Sequence, residues 1–123
     1  MILVDTSVWI SFLKKTDPQI VDIIKMYIKR SEIYAVSAVF GELLQGVKNK
    51  RERDIINTLW ENLPKVDEED LFIRAGTISN KYKLFAKDVG LIDCYLLAAC
   101  ADNNMALWTL DKNLQNSFDE LAL

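Results

Sequence analysis

Three short apolar runs constrain this chain most: Ile2-Leu3-Val4, Ile33-Tyr34-Ala35-Val36 and Met105-Ala106-Leu107-Trp108. Each is too short for a buried helix, so each is expected to be a buried strand. Between them the apolar spacing changes to a helical one. Val8, Trp9, Phe12 and Leu13 follow Thr6-Ser7 on one face, and Trp9 is expected in the core. Asp17-Pro18 supplies a cap and a proline at the first helical position, ahead of Ile20, Ile23, Ile24, Tyr27 and Ile28. Ser37 is positioned to cap a helix running to about Val47. Ile55, Ile56, Leu59, Trp60 and Leu63 mark a further helix, stopped by Pro64. A short strand near Leu63–Val66, a helix over Glu68–Phe85 and a buried helix over Leu91–Asp102 follow. Asp111–Asn116 is expected to be a short helix and Phe118–Leu123 a last edge strand. Short strands alternating with helices predict an α/β fold with a mainly parallel sheet. A chain of 123 residues suits a single domain over 1–123.

Four acids stand where carboxylates are costly. Asp5 ends the first run, and Asp111 follows the last one. Glu42 lies about one turn into the helix after the second run, among Val39, Phe40, Leu43 and Leu44. Asp93 lies near the start of an otherwise apolar helix. Ligands of parallel α/β sheets bind beyond the carboxyl ends of the strands. Local reading therefore gathers Asp5, Asp111 and Glu42 at one edge, while Asp93 needs tertiary folding to join them.

The chain has no histidine, which excludes Ser-His-Asp and Cys-His catalysis and ordinary histidine-bearing zinc sites. Clustered carboxylates are hard oxygen ligands suited to Mg²⁺ or Mn²⁺. Two such ions, roughly 3.5–4 Å apart, can activate water and neutralise charge in phosphodiester hydrolysis. Crowded acids repel, so at least one is expected to have a raised pKa without metal. A net charge of −3 does not advertise a nucleic-acid binder, although the bases can be clustered. Cys94 and Cys100 point away from each other on a helix and are expected to stay reduced, which fits a cytoplasmic protein. No charged leader and no membrane-spanning run is expected.

The motifs resemble those of the PIN-domain nucleases, most closely their VapC-type toxin branch. The resemblance rests on Val4-Asp5-Thr6-Ser7-Val8-Trp9-Ile10 and Glu42-Leu43-Leu44-Gln45-Gly46. It continues in Gly90-Leu91-Ile92-Asp93, with Leu97-Ala98-Ala99 after it, and in Leu107-Trp108-Thr109-Leu110-Asp111. It implies a PIN-like three-layer fold, with a central sheet of about five short strands flanked by helices. It also implies a metal-dependent endoribonuclease, the toxin of a toxin–antitoxin pair, with RNA as substrate, an antitoxin as partner and a homodimer as assembly. Asp5, Glu42, Asp93 and Asp111 would hold Mg²⁺ or Mn²⁺, two ions in all. Thr6, Ser7 and Thr109 would orient those acids. Relatives often extend the last motif with an acid and an aromatic, where this chain has Asn113 and Leu114. The second ion is therefore expected to bind weakly.

Simpler roles stand beside these. Asp5 and Asp111 are natural helix caps. Hydroxyls at strand ends often only satisfy backbone groups. Asp88 and Asp102 are expected on the surface. Lys48, Lys50, Arg51 and Arg53, extended by Lys14 and Lys15, are either a solvated helix start or a patch guiding RNA phosphates. The apolar face from Ile55 to Leu63, with Leu71, Phe72 and Ala75, is core or a groove for a partner helix. Two other functions compete: a non-catalytic PIN-fold interaction module and a receiver-type phospho-acceptor domain. The latter wants paired acids after its first strand and a lysine after its last, and neither is present.

Overall fold

The computed structural model describes residues 1–121. Three strands pair, all parallel: β1 (Ile2–Val4), β2 (Ile33–Tyr34) and β3 (Ala106–Trp108), in the order β2-β1-β3. Ile2 lies opposite both Ile33 and Ala106, so the three strands start in step and all run toward the same edge. The described residues therefore give three strands where about five were expected. A fourth contact survives as a single parallel bridge, Ala35 to Lys65, where the strand near Leu63–Val66 was expected. Pro64 has no N–H to extend that ladder.

The helices are α1 (Thr6–Lys14), α2 (Pro18–Lys29), α3 (Ser37–Gln45), α4 (Lys50–Asn62), α5 (Leu71–Tyr82), α6 (Leu91–Asn103) and α7 (Lys112–Glu120). Asp17 caps α2, accepting from the Gln19 amide at 2.9 Å with Pro18 in the first turn. Ser37 is not a cap. Val36 holds the cap position of α3, and Ser37 is the first helical residue. The helix expected over Glu68–Phe85 is shorter. It starts at Leu71 and ends at Tyr82, where Lys83 turns left-handed (φ 55°), and a 3-10 turn over Leu84–Lys87 follows. The expected edge strand is overturned as well. Phe118–Glu120 continue α7, which the Asp111 cap nucleates, and residues 122 and 123 lie outside the described residues.

Helix α6 is buried all round from Cys94 to Cys100, and α5 packs along it. Burial pushes the Cys100 thiol up to about 12, so it stays a neutral packing group. Trp9 is in the core as expected. Its ring lies 5.7 Å from Phe40, which lies 5.4 Å from Trp60, joining α1, α3 and α4. The apolar face of α4 and α5 is mostly core: Ile56, Leu63, Leu71 and Ala75 are buried, while Ile55 and Phe72 remain exposed. No helix of the described residues is long and apolar enough to cross a membrane.

Leu96 is fully buried and Phe85 is 86% exposed, so truncating them should separate sharply. Leu96→Ala is expected to lower the unfolding free energy by about 2–5 kcal/mol. Phe85→Ala should change it by no more than about 0.5 kcal/mol. Urea unfolding of both variants measures this.

Candidate active site

β1 sits at the centre of the sheet, so the residue after it is enclosed by its neighbours. That residue is Asp5, which is only 6% exposed. Its charge is met by three donors. Oδ1 accepts from the Thr6 amide at 2.7 Å. Oδ2 accepts from the Ser7 hydroxyl at 2.8 Å and the Thr109 hydroxyl at 2.7 Å. Charge-assisted bonds of this kind offset the cost of burial. Asp5 also caps α1, so the simple reading of it holds alongside any other.

The neighbouring groups form one network. The Ser7 hydroxyl accepts from the Leu110 amide at 3.0 Å, and the Thr109 hydroxyl from the Asp111 amide at 3.0 Å. The loop after β3 is thereby fastened to the start of α1. Asp111 caps α7 through Oδ1, which accepts from Asn113 at 2.8 Å and Leu114 at 3.1 Å. Leu114 is fully buried and anchors that turn. Thr6 reaches the other way and donates to Glu42 Oε1 at 2.7 Å. Glu42 and Asp111 are exposed and Asp93 is half-buried.

Asp93 reaches this edge because α6 runs back to the start of β3. A helix returning to a parallel strand begins at the carboxyl side of the sheet. Asp93 occupies the first turn of α6, behind Gly90. Its pKa is raised from 3.8 to about 6, first by burial and then by the charges of Asp5, Asp111 and Glu42. These effects outweigh the helix start, which favours the ionised form. Three carboxylates from three other elements thus act on Asp93, and none of the four is in an ion pair among the described residues.

Such an all-oxygen set fits a hard divalent cation such as Mg²⁺ or Mn²⁺. Among the described residues no three of the acids are drawn into a ready ligand set for one ion, so a cation would have to pull them closer. A groove of about 320 Å³ opens beside Glu42, walled by Ile10, Leu13, Val47 and Ile55 with Lys14 and Lys48 among its lining residues.

Other candidates stand apart. Asp102 pairs with Arg74, and Asp88 ends the 3-10 turn at φ 59°. Asn49 and Glu52 cap α4 reciprocally: Asn49 accepts from Glu52 N at 2.9 Å, and Glu52 from Lys48 N at 3.0 Å. Lys50 pairs loosely with Asp54 at 3.8 Å. Lys50, Arg51 and Arg53 therefore stand in the opening turns of a capped helix, with Lys48 just before its cap. One acid close to this architecture escaped sequence reading. Glu68 bonds Ser37 and Tyr95, and no local pattern marks it.

A PIN domain family model matches residues 2–120. The chain belongs to the PIN domain family. Ribonuclease VapC32 of Mycobacterium tuberculosis is 32% identical over 119 residues, covering 94% of this chain and 88% of the relative, and matches equally in two strains. Among solved structures, FitAcB from Neisseria gonorrhoeae superposes with a TM-score of 0.64 at 18% identity, covering 97% of this chain and 94% of that one. The second likeness is one of fold. Membership of the PIN domain family sets aside the receiver-type reading, which the sequence already disfavoured.

The raised pKa of Asp93 gives this PIN domain a signature. Between about pH 4 and 6 the folded form keeps a proton that the unfolded chain releases, so stability falls as pH rises through that window. In EDTA, Asp93→Asn is expected to lose this part of the slope and to melt above wild type at pH 7.5. Scanning calorimetry from pH 4 to 7.5 measures the difference.

Proposed function

We propose that this PIN domain is a metal-dependent endoribonuclease and the toxin of a toxin–antitoxin pair, working in the cytoplasm. The observation that carries the reading is that the charges of Asp5, Glu42 and Asp111 converge on Asp93 at the carboxyl edge of the sheet, with no cationic side chain paired to any of the four among the described residues. Proteins retain such a cluster at a cost unless a ligand compensates it. The identity to a protein named as a ribonuclease over nearly the whole chain supports the same activity.

Asp5, Glu42, Asp93 and Asp111 would hold Mg²⁺ or Mn²⁺, two ions with the second weak because Asn113 supplies no further acid. When bound, the cations supply an activated water and neutralise charge on the phosphate. The chain's own residues prepare the place. Ser7 and Thr109 hold one oxygen of Asp5 on a fixed heading, and Thr6 does so for Glu42. Asp93 keeps its proton up to about pH 6, well above the ordinary carboxylate range, and a bound cation would favour its ionised form.

Lys48, Lys50, Arg51 and Arg53 guide RNA toward this edge. Lys50 and Arg51 stand in the first turn of α4, where basic groups oppose the helix dipole, so they serve the helix poorly. Lys48 also lines the groove beside Glu42. That groove, with its exposed Ile10 and Ile55, is where an antitoxin segment would lie. A homodimer is the proposed assembly.

RNA incubated with Mg²⁺ or Mn²⁺ should be cut internally, and EDTA should stop the cutting. Asp5→Asn and Asp93→Asn are each expected to reduce the rate by at least about a hundredfold, the scale on which loss of a group acting in the transition state is felt. Gel analysis of single-stranded and structured RNA measures this. Equal cutting by wild type and both variants would leave the non-catalytic module as the better reading.

A further inference from the structure

Helix α3 carries Glu42, yet its cap residue is Val36, whose side chain has no acceptor. The open amide at the helix start is met from elsewhere in the chain. Glu68, in the loop before α5, brings its carboxylate to that end. Its two oxygens lie 3.2 and 3.0 Å from the Ser37 amide, and Oε1 also accepts the Ser37 hydroxyl at 2.5 Å. A negative charge at a helix start is favourable in itself.

The same Oε1 accepts a third donor, the hydroxyl of Tyr95. Tyr95 lies on α6, two residues beyond Asp93, and is only 8% exposed. Burial, and then the bond to Glu68, hold its phenol in the protonated, donating form. One carboxylate thus ties the beginning of α3 to the first half of α6. Those two helices carry Glu42 and Asp93. Asp5 is fixed by its own network, and Asp111 is fastened by its cap. Glu42 and Asp93 have less: one hydroxyl for the former, and for the latter no hydrogen-bond donor among the described residues.

We infer that Glu68 is a positioning residue for the acidic site: through Ser37 and Tyr95 it sets the spacing of the helices that present Glu42 and Asp93. It touches neither acid. The inference rests on the metal-dependent reading above. With the tie in place, the repulsion among the acids has less freedom to push α3 and α6 apart. A cation then meets two carboxylates already held near each other. With the tie cut, binding must also draw the helices together, and affinity falls.

The test is Mn²⁺ titrated by calorimetry onto metal-free protein: wild type, Asp5→Asn, Glu68→Ala, Tyr95→Phe and the control Ile24→Val. Ile24 is fully buried on α2, so its loss of one methylene supplies a destabilised fold with an intact tie. Tyr95→Phe keeps the ring and removes only the hydroxyl, so it reports even if Glu68→Ala does not fold. Glu68→Ala and Tyr95→Phe are each expected to weaken Mn²⁺ binding by about tenfold, the lower end for groups that orient metal ligands. Ile24→Val should bind as wild type does. RNA cleavage by Tyr95→Phe should need correspondingly more Mn²⁺, with kcat restored at saturating metal. If wild type binds Mn²⁺ and Asp5→Asn does not, while Tyr95→Phe binds like wild type, the positioning role falls and the metal site stands. A wild type that takes up no Mn²⁺ overturns both.

Discussion

Everything at the carboxyl edge depends on keeping one buried charge, that of Asp5. Burying an isolated carboxylate would cost several kcal/mol, roughly, which is comparable to the whole stability of a small domain. The fold meets the cost with one amide and two hydroxyls, and each donor comes from a structurally decisive place. Thr6 and Ser7 open α1, and Thr109 follows β3. Satisfying Asp5 therefore fixes the first helix and the last strand against the centre of the sheet. The Thr6 hydroxyl carries the order on to Glu42, and the Thr109 hydroxyl carries it to Asp111. Asp93 alone approaches without such ties, and it is the acid whose proton affinity is raised.

The aromatic chain from Trp9 through Phe40 to Trp60 works beneath this network. It packs α1, α3 and α4 together, so Glu42 rides on a helix held by apolar contact on one side. The tie from Glu68 holds the same helix by its end. Apolar packing is insensitive to direction, whereas hydrogen bonds fix orientation. The two kinds of contact thus divide the work of placing one exposed carboxylate.

Much of this was legible in the sequence, because local rules govern it. Short apolar runs became parallel strands, Asp17-Pro18 opened a helix, and Asp5 and Asp111 fell at strand ends. Asp93 was harder, since its neighbours in sequence say nothing of the sheet. Yet a helix that leads into a parallel strand must begin at the edge where that strand ends, so its place follows from topology. The sheet was overcounted for local reasons: Pro64 interrupts one ladder, and the cap at Asp111 extends a helix through Phe118. Glu68 was invisible. Its partners lie 31 and 27 positions away, and an acid before a helix looks like any solvated loop residue.

The central strand is made before either of its partners, and the partner on one side of it comes more than a hundred positions later. Ile2 pairs with Ala106, and Asp5 takes a bond from Thr109. Contacts so distant in sequence close slowly and late. During synthesis, then, β1 waits unpaired on its β3 side, with Asp5 lacking the hydroxyl that completes its set. The acidic edge assembles only once β3 and the loop after it are available, so any activity housed there is withheld from chains that stop short of them. Timing of this kind needs no inhibitor; it is a property of pairing the middle strand with one so far along the chain.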